Sequence, residues 1–251
     1  NWHHLSFGDE GMSVRASSTN IAQYYNSEWD QLWYGAGISY YDEIDGNLYF
    51  RFNKYPKGNL YEEWSAPFLV DGATSDAGKF SSLAFSWDNE GQDVKAYIAY
   101  YDYSDEGETA SLKLAVINDP LNPEPPFKMV VDDEVGCSEG QYVSVAVSED
   151  DTPIVHLTYY DAVNEKLKYA MWLDEKWFIE TVDDSDGDVG KYASLALDDE
   201  GHPHISYYAE DDSGVGRRFP NGFYQTGPIK NVNQVRRFIF QKIDYFLSIF
   251  F

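Results

Sequence analysis

Val189–Tyr208 reads VGKYASLALDDEGHPHISYY, and the alternation within it decides the fold. In Tyr192–Leu197, Ser194 and Ala196 fall on one face and Leu195 and Leu197 on the other, and in His204–Tyr208 Ser206 lies opposite Ile205, which predicts two short strands. The stretch has two close copies upstream. Ala77–Tyr101 opens AGKFSSLAF and closes AYIAYY, and Glu139–Tyr160 opens EGQYVSVAV and closes VHLTYY. Paired tyrosines recur at Tyr40-Tyr41, Tyr100-Tyr101, Tyr159-Tyr160 and Tyr207-Tyr208, with offsets of 60, 59 and 48 residues. A period in that range, made of short alternating segments, marks a toroidal or solenoid β array. Each unit is one sheet that cannot bury its faces alone, so neighbours must stack.

The unit near 133–183 shows the whole plan: Tyr142–Val147, Ile154–Tyr160, Leu167–Trp172 and Trp177–Val182, separated by turn residues. The unit near 71–132 repeats it as Phe80–Phe85, Ala96–Tyr101, Leu112–Ile117 and Phe127–Val131, with a Pro120–Pro126 run lengthening its third turn. In the divergent unit near 8–70 the third strand is Leu48–Phe52 and the fourth Trp64–Val70, and Asn20–Asp30 reads as an insertion between the first two. The unit near 184–216 offers two strands only. Along the first strands, Ser82/Ala84, Ser144/Ala146 and Ser194/Ala196 share one face and Leu83/Phe85, Val145/Val147 and Leu195/Leu197 the other. Sheets that converge on an axis need such a small-residue face. The expectation is an all-β protein, a β-propeller of four-stranded antiparallel blades, with about four blades visible. Two readings of the ring stay open: four blades closed by Trp2–Phe7 with Phe219–Gln225 as a poor third strand, or a fragment of a larger propeller. A β-sandwich is the runner-up, and it does not predict a repeat.

These residues resemble a repeat of bacterial and archaeal β-propeller proteins, with the general form SLALD-x-x-G-x-P-H-I-S-Y-Y-D, then LKYA, then W-x-x-E-T-V-D. Here it stands as Ser194–Tyr208, with KLKYAMW and KWFIETVDD in the preceding unit. The resemblance covers residues 70–210 well and 1–70 loosely. It implies the propeller fold and is silent on activity. The family is distantly similar to sialidase and Asp-box propellers, of whose box Ser86-Trp87-Asp88-Asn89-Glu90-Gly91 is a partial echo.

The 251 residues carry 43 Asp and Glu against 18 Lys and Arg, a net charge of −25, which excludes a phosphate-binding surface and so a nucleic-acid partner. The balance reverses after Gly216: residues 217–251 hold six basic residues and one acid, Asp244. This tail can be drawn as an amphipathic helix over Val232–Phe251, an interfacial or partner-docking element, or as a segment foreign to the fold. Lys242 and Asp244 speak against a membrane span within it. The lone Cys137 excludes an intrachain disulfide framework. Asn1 reads as a processed start, and the acidic, Tyr-rich composition fits an extracellular or cell-surface location.

In an antiparallel meander the second and fourth strands end on one rim. Those ends are Asp42, Asp102 and Asp161, and Asp71, Asp132 and Asp183, and the following loops add Asp76, Asp133, Glu134, Asp184, Asp186 and Asp188. Such an acidic rim suits a hard divalent cation, Ca²⁺ above all, with Asp184, Asp186 and Asp188 the best local ligand set. The competing reading has each Asp capping its turn and pairing with Lys79 or Lys191. His202-Pro203-His204 looks like a ligand pair, but His204 shares its repeat position with His156, Tyr97 and Gly37, which marks a packing or hydrogen-bonding place. Sialidase chemistry, as the resemblance would imply it, needs an arginine cluster, whereas the propeller part contains only Arg15 and Arg51. The expected function is non-catalytic binding of a carbohydrate or protein ligand; a glycoside hydrolase or lyase is the alternative, with no two acids singled out.

Overall fold

The computed structural model of the chain describes residues 14–26, 31–56, 64–72, 75–87, 94–103, 110–120, 122–136, 142–149, 152–184 and 186–209. The expected strand at 2–7, the poor strand at 219–225 and the tail at 217–251 lie outside the described residues. The strands are β1 (Val14–Asn26), β2 (Gln31–Asp42), β3 (Asn47–Pro56), β4 (Phe68–Asp71), β5 (Asp76–Trp87), β6 (Val94–Tyr103) and β7 (Ala110–Ile117). There follow β8 (Phe127–Asp132), β9 (Val143–Val147), β10 (Val155–Asp161), β11 (Lys166–Leu173), β12 (Lys176–Asp183), β13 (Val189–Leu197) and β14 (Pro203–Ala209). They pair in chain order as three four-stranded antiparallel sheets, β1–β4, β5–β8 and β9–β12, and a hairpin, β13–β14. The all-β class and the four-stranded meander are therefore as the sequence predicts.

Two expectations in the first unit need correction. Residues 20–26 of the expected insertion are strand: β1 and β2 pair from Val14↔Asp42 to Asn26↔Gln31, and 27–30 lie outside the described residues. Asn20, Gln23 and Asn26 interrupt the apolar alternation, but backbone pairing does not require an apolar face. The fourth strand begins at Phe68 rather than Trp64, because Pro67 has no amide to give to a ladder.

Every extensive contact between sheets involves β5, β9 or β13, so the sheets meet along their first strands. The size alternation is what lets them meet. Ala84 and Ala99 of the second sheet share a core with Val145 and Leu157 of the third. Leu83, Phe85 and Ile98, on its opposite face, share one with Phe50 and Phe52 of the first. Each fully buried Leu or Ile in these cores contributes about 1.5–3 kcal/mol. The serines on the small face also carry a bond. The Oγ of Ser18 accepts from Leu83 N, that of Ser82 from Val145 N and that of Ser144 from Leu195 N, each at 3.1 Å. One residue per sheet thus ties its first strand to the next sheet's.

At Gly78 and Gly190 the backbones of consecutive sheets come close together. Their φ angles are +114° and +108°, and a Cβ would stand 2.6 Å from Leu48 Cβ and 2.7 Å from Leu167 Cα. Beside them, Ala77 N donates to Gly46 O at 3.0 Å and Val189 N to Glu165 O at 3.1 Å, so backbone bonds cross each of these junctions.

Candidate functional site

The Tyr-Tyr-Asp triplets close β2, β6 and β10. Because successive strand residues face opposite ways, the two tyrosines of a pair reach different neighbours. The first reaches back. Tyr100 donates to Asp71 at 2.7 Å, Tyr159 to Asp132 at 2.7 Å and Tyr207 to Asp183 at 2.6 Å. The second reaches forward, Tyr41 to Asp76 at 2.5 Å, Tyr160 to Asp188, and Tyr101 to the carbonyl of Tyr160 at 3.2 Å. Six of these tyrosines, Tyr40, Tyr41, Tyr100, Tyr101, Tyr159 and Tyr160, are buried; the rim does not display them.

Lysines complete each junction. Lys168 in β11 lies 2.8 Å from Asp161 of its own sheet and 3.1 Å from Asp132 of the sheet before. Lys113, its counterpart in β7, pairs with Asp102 and stands 3.6 Å from Asp71, which Lys128 also holds at 2.6 Å. The same place in the first sheet is Tyr49, which donates to Asp45 at 2.7 Å and stacks on Tyr40. The carboxylates also cap their turns. Asp42 accepts from Ile44 N at 2.9 Å, Asp132 from Glu134 N at 3.0 Å and Asp161 from Val163 N at 3.0 Å. Lys79 and Lys191 pair with Asp76 and Asp188 of the loop set.

These contacts set the titration of the rim. Burial works against ionised Asp71, but the bonds from Lys128 and Tyr100 and the charge of Lys113 outweigh it, and the carboxyl lies below its ordinary range. Asp161 is lowered in the same way, burial being overcome by Lys168 and Asn164. Burial first, and the aspartates second, push the Tyr100 and Tyr159 hydroxyls up, which keeps them as donors. A carboxyl that titrates lower when folded gives stability that is complete above its unfolded value of about 4 and is lost as pH falls through the folded one. Thermal melts should therefore show the gap between wild type and Lys168→Met narrowing as pH drops below about 4. A gap that stays constant to pH 2 would count against the pairing.

Asp184 and Asp186 are exposed and Asp188 is half-buried. Among the described residues, the single group of three His, Cys, Asp or Glu whose ligand atoms lie within 4.8 Å of one another is Asp198, Glu200 and His202; the 184–188 set is not gathered in this way. His204 lies on an exposed face, where its Nε2 stands 3.1 Å from Asp198. Its repeat counterpart His156 is buried against the Tyr169 hydroxyl. Shared repeat position does not give the two histidines one role.

On the same rim, where β5 and β13 begin, the structure forms a feature the sequence reading passed over. Phe80, Tyr142 and Tyr192 hold one place in AGKF, EGQY and VGKY. Their rings run from sheet to sheet, with centroids 6.0 Å apart for Phe80–Tyr142 and 4.2 Å for Tyr142–Tyr192. Phe80 and Tyr192 adopt φ of +55°, an unusual conformation for bulky residues, and the β-ladder shifts register at each. Burial, then a hydrogen bond with Tyr192, pushes the Tyr142 hydroxyl up to about 12. Tyr192 is 65% exposed and leaves the end of the ladder open to solvent. The signal was an aromatic residue two positions after a glycine in all three copies.

No helix among the described residues is long and apolar enough to cross a membrane. No protein-family model and no curated protein matches the chain. Among solved structures, a fucose lectin from Kordia zhangzhouensis in complex with methyl-fucoside is similar over 66% of this chain and 97% of its own, at 12% identity and a TM-score of 0.40. The fucose-specific lectin from Aleuria aurantia is similar over 83% of this chain and 77% of its own, at 11% identity and a TM-score of 0.31. Likeness at this level carries nothing about what the chain binds.

Proposed function

We propose that the chain is a non-catalytic carbohydrate-binding protein of the cell exterior, its sheets the blades of a β-propeller. The observation that carries this reading is the ladder of Phe80, Tyr142 and Tyr192, held in place by a backbone conformation that costs energy at two of its three members. Strained residues repeated at one place and ending in an exposed ring are the mark of a site kept for contact. A tyrosine face takes the apolar face of a sugar ring, while carboxylates beside it accept from hydroxyls. The rim aspartates tied to lysines hold the sheets together and do not serve as acids.

A glycan array followed by calorimetry tests this. Tyr192→Ala should weaken the best ligand by roughly tenfold, the equivalent of about 1.4 kcal/mol, with the melting temperature unchanged. Binding that survives Tyr192→Ala undiminished would remove the ladder from the site. Turnover of chromogenic glycosides, abolished by one Asp or Glu substitution, would replace the binding reading with a hydrolase.

A further inference from the structure

The turn between β13 and β14, at the other end of the strands from the aromatic ladder, collects more polar chemistry than a turn needs. Asp198 Oδ1 accepts from the amides of Glu200 at 3.1 Å and His202 at 2.7 Å, and Asp198 N donates to His202 O at 3.0 Å. Those bonds close the turn. The corresponding turn of the third sheet closes the same way with Ser148 and Ile154, through Ser148 N to Ile154 O at 3.0 Å and Ile154 N to Ser148 Oγ at 2.9 Å. A serine and an isoleucine close that turn, which is two residues longer, without a carboxylate or an imidazole. What the β13–β14 turn adds is a second carboxylate oxygen, Asp198 Oδ2, with His202 Nδ1 at 3.0 Å and His204 Nε2 at 3.1 Å from it. The Glu200 carboxylate lies within 4.8 Å of the ligand atoms of Asp198 and His202.

We propose that Asp198, His202 and His204, with Glu200, form a binding site for a Zn²⁺-class divalent ion. Nitrogen and carboxylate ligands at bonds of about 2.0–2.1 Å from a tetrahedral ion lie roughly 3.3 Å from one another. The Asp198–His202 and Asp198–His204 separations differ from that edge by a few tenths of an ångström; His204 stands outside the group whose ligand atoms all lie within 4.8 Å, so it joins the set only by swinging in from beside Asp198. Without the ion, each imidazole turns an N–H to Oδ2; with it, each turns a lone pair to the metal. Two imidazoles select Zn²⁺, Ni²⁺ or Cu²⁺ over Ca²⁺ and Mg²⁺, which take oxygen ligands.

The test is calorimetry and thermal melting of the untagged full chain with ZnCl₂. One equivalent of Zn²⁺ should bind and raise the melting temperature, with no comparable rise from Mg²⁺ or Ca²⁺ at matched ionic strength. Asp198→Asn with His202→Gln, which keeps an oxygen for the turn amides, should stay folded without metal by circular dichroism and lose the Zn²⁺ response. His204→Ala should weaken Zn²⁺ by about tenfold or more, and His3→Ala with His4→Ala should leave the stoichiometry intact. An equal Zn²⁺ response in the turn variant, or equal shifts from Mg²⁺ and Zn²⁺, would overturn the site.

Discussion

Lys168→Met should lower the melting temperature by about 10 °C. Lys168 is the counter-charge for Asp161, which is fully buried, and for Asp132, which is 10% exposed. Methionine keeps the apolar stem and removes only the charge, leaving two carboxylates together at the junction of the second and third sheets. Breaking one side of a buried ion pair costs about 3–5 kcal/mol. Lys168 retains 17% exposure, which places the expected loss near the lower figure. In a domain of this size about 3 kcal/mol corresponds to roughly 6–12 °C. Adding Asp161→Asn should restore part of the loss, because the orphaned charge is the cause. A shift under about 2 °C by circular dichroism would mean that the lysine is a surface ornament.

Gly190→Ala should be nearly as damaging, about 3 kcal/mol, for two reasons that add. At φ +108° an alanine is strained by about 1–2 kcal/mol. Its Cβ would also stand 2.7 Å from Leu167 Cα and 2.9 Å from Leu167 N. That is backbone, and it cannot retreat without opening the Val189–Glu165 bond; overpacking of this kind costs about 1–3 kcal/mol. Gly201 separates the two terms. It has φ +74° with no atom within 4 Å of a Cβ, so Gly201→Ala should cost about 1 kcal/mol from strain alone. Equal losses in the two variants would show that the close approach contributes nothing.

The strand plan was legible because it rests on local alternation. Ser82, Ala84, Leu83 and Phe85 announce two unlike faces, and the cores they enter follow from that. Partners across a junction were not legible. The Asp132–Lys168 contact joins residues 36 positions apart, and no pattern within either sheet names it. Lys113 and Lys168 read as ordinary polar positions of a third strand, yet each faces two carboxylates. The bends at Phe80 and Tyr192 stayed hidden because a left-handed residue usually announces itself as glycine, and here bulky aromatics take that conformation. His204 keeps the hydrogen-bonding role that its repeat place allowed, on Asp198, but the repeat did not show that it would be exposed where His156 is buried.

The serine bonds between first strands bear on how the protein keeps to itself. β5, β9 and β13 are edge strands, and an edge with open amides is a template on which a strand from another molecule can grow. In each of these strands one outward amide, that of Leu83, Val145 or Leu195, is already taken by a hydroxyl from the sheet before. A side chain too small to obstruct the packing thus denies foreign strands a foothold along the line where the sheets converge. Those three amides should exchange with deuterated water more slowly than other edge-strand amides, although no neighbouring strand of their own sheet covers them.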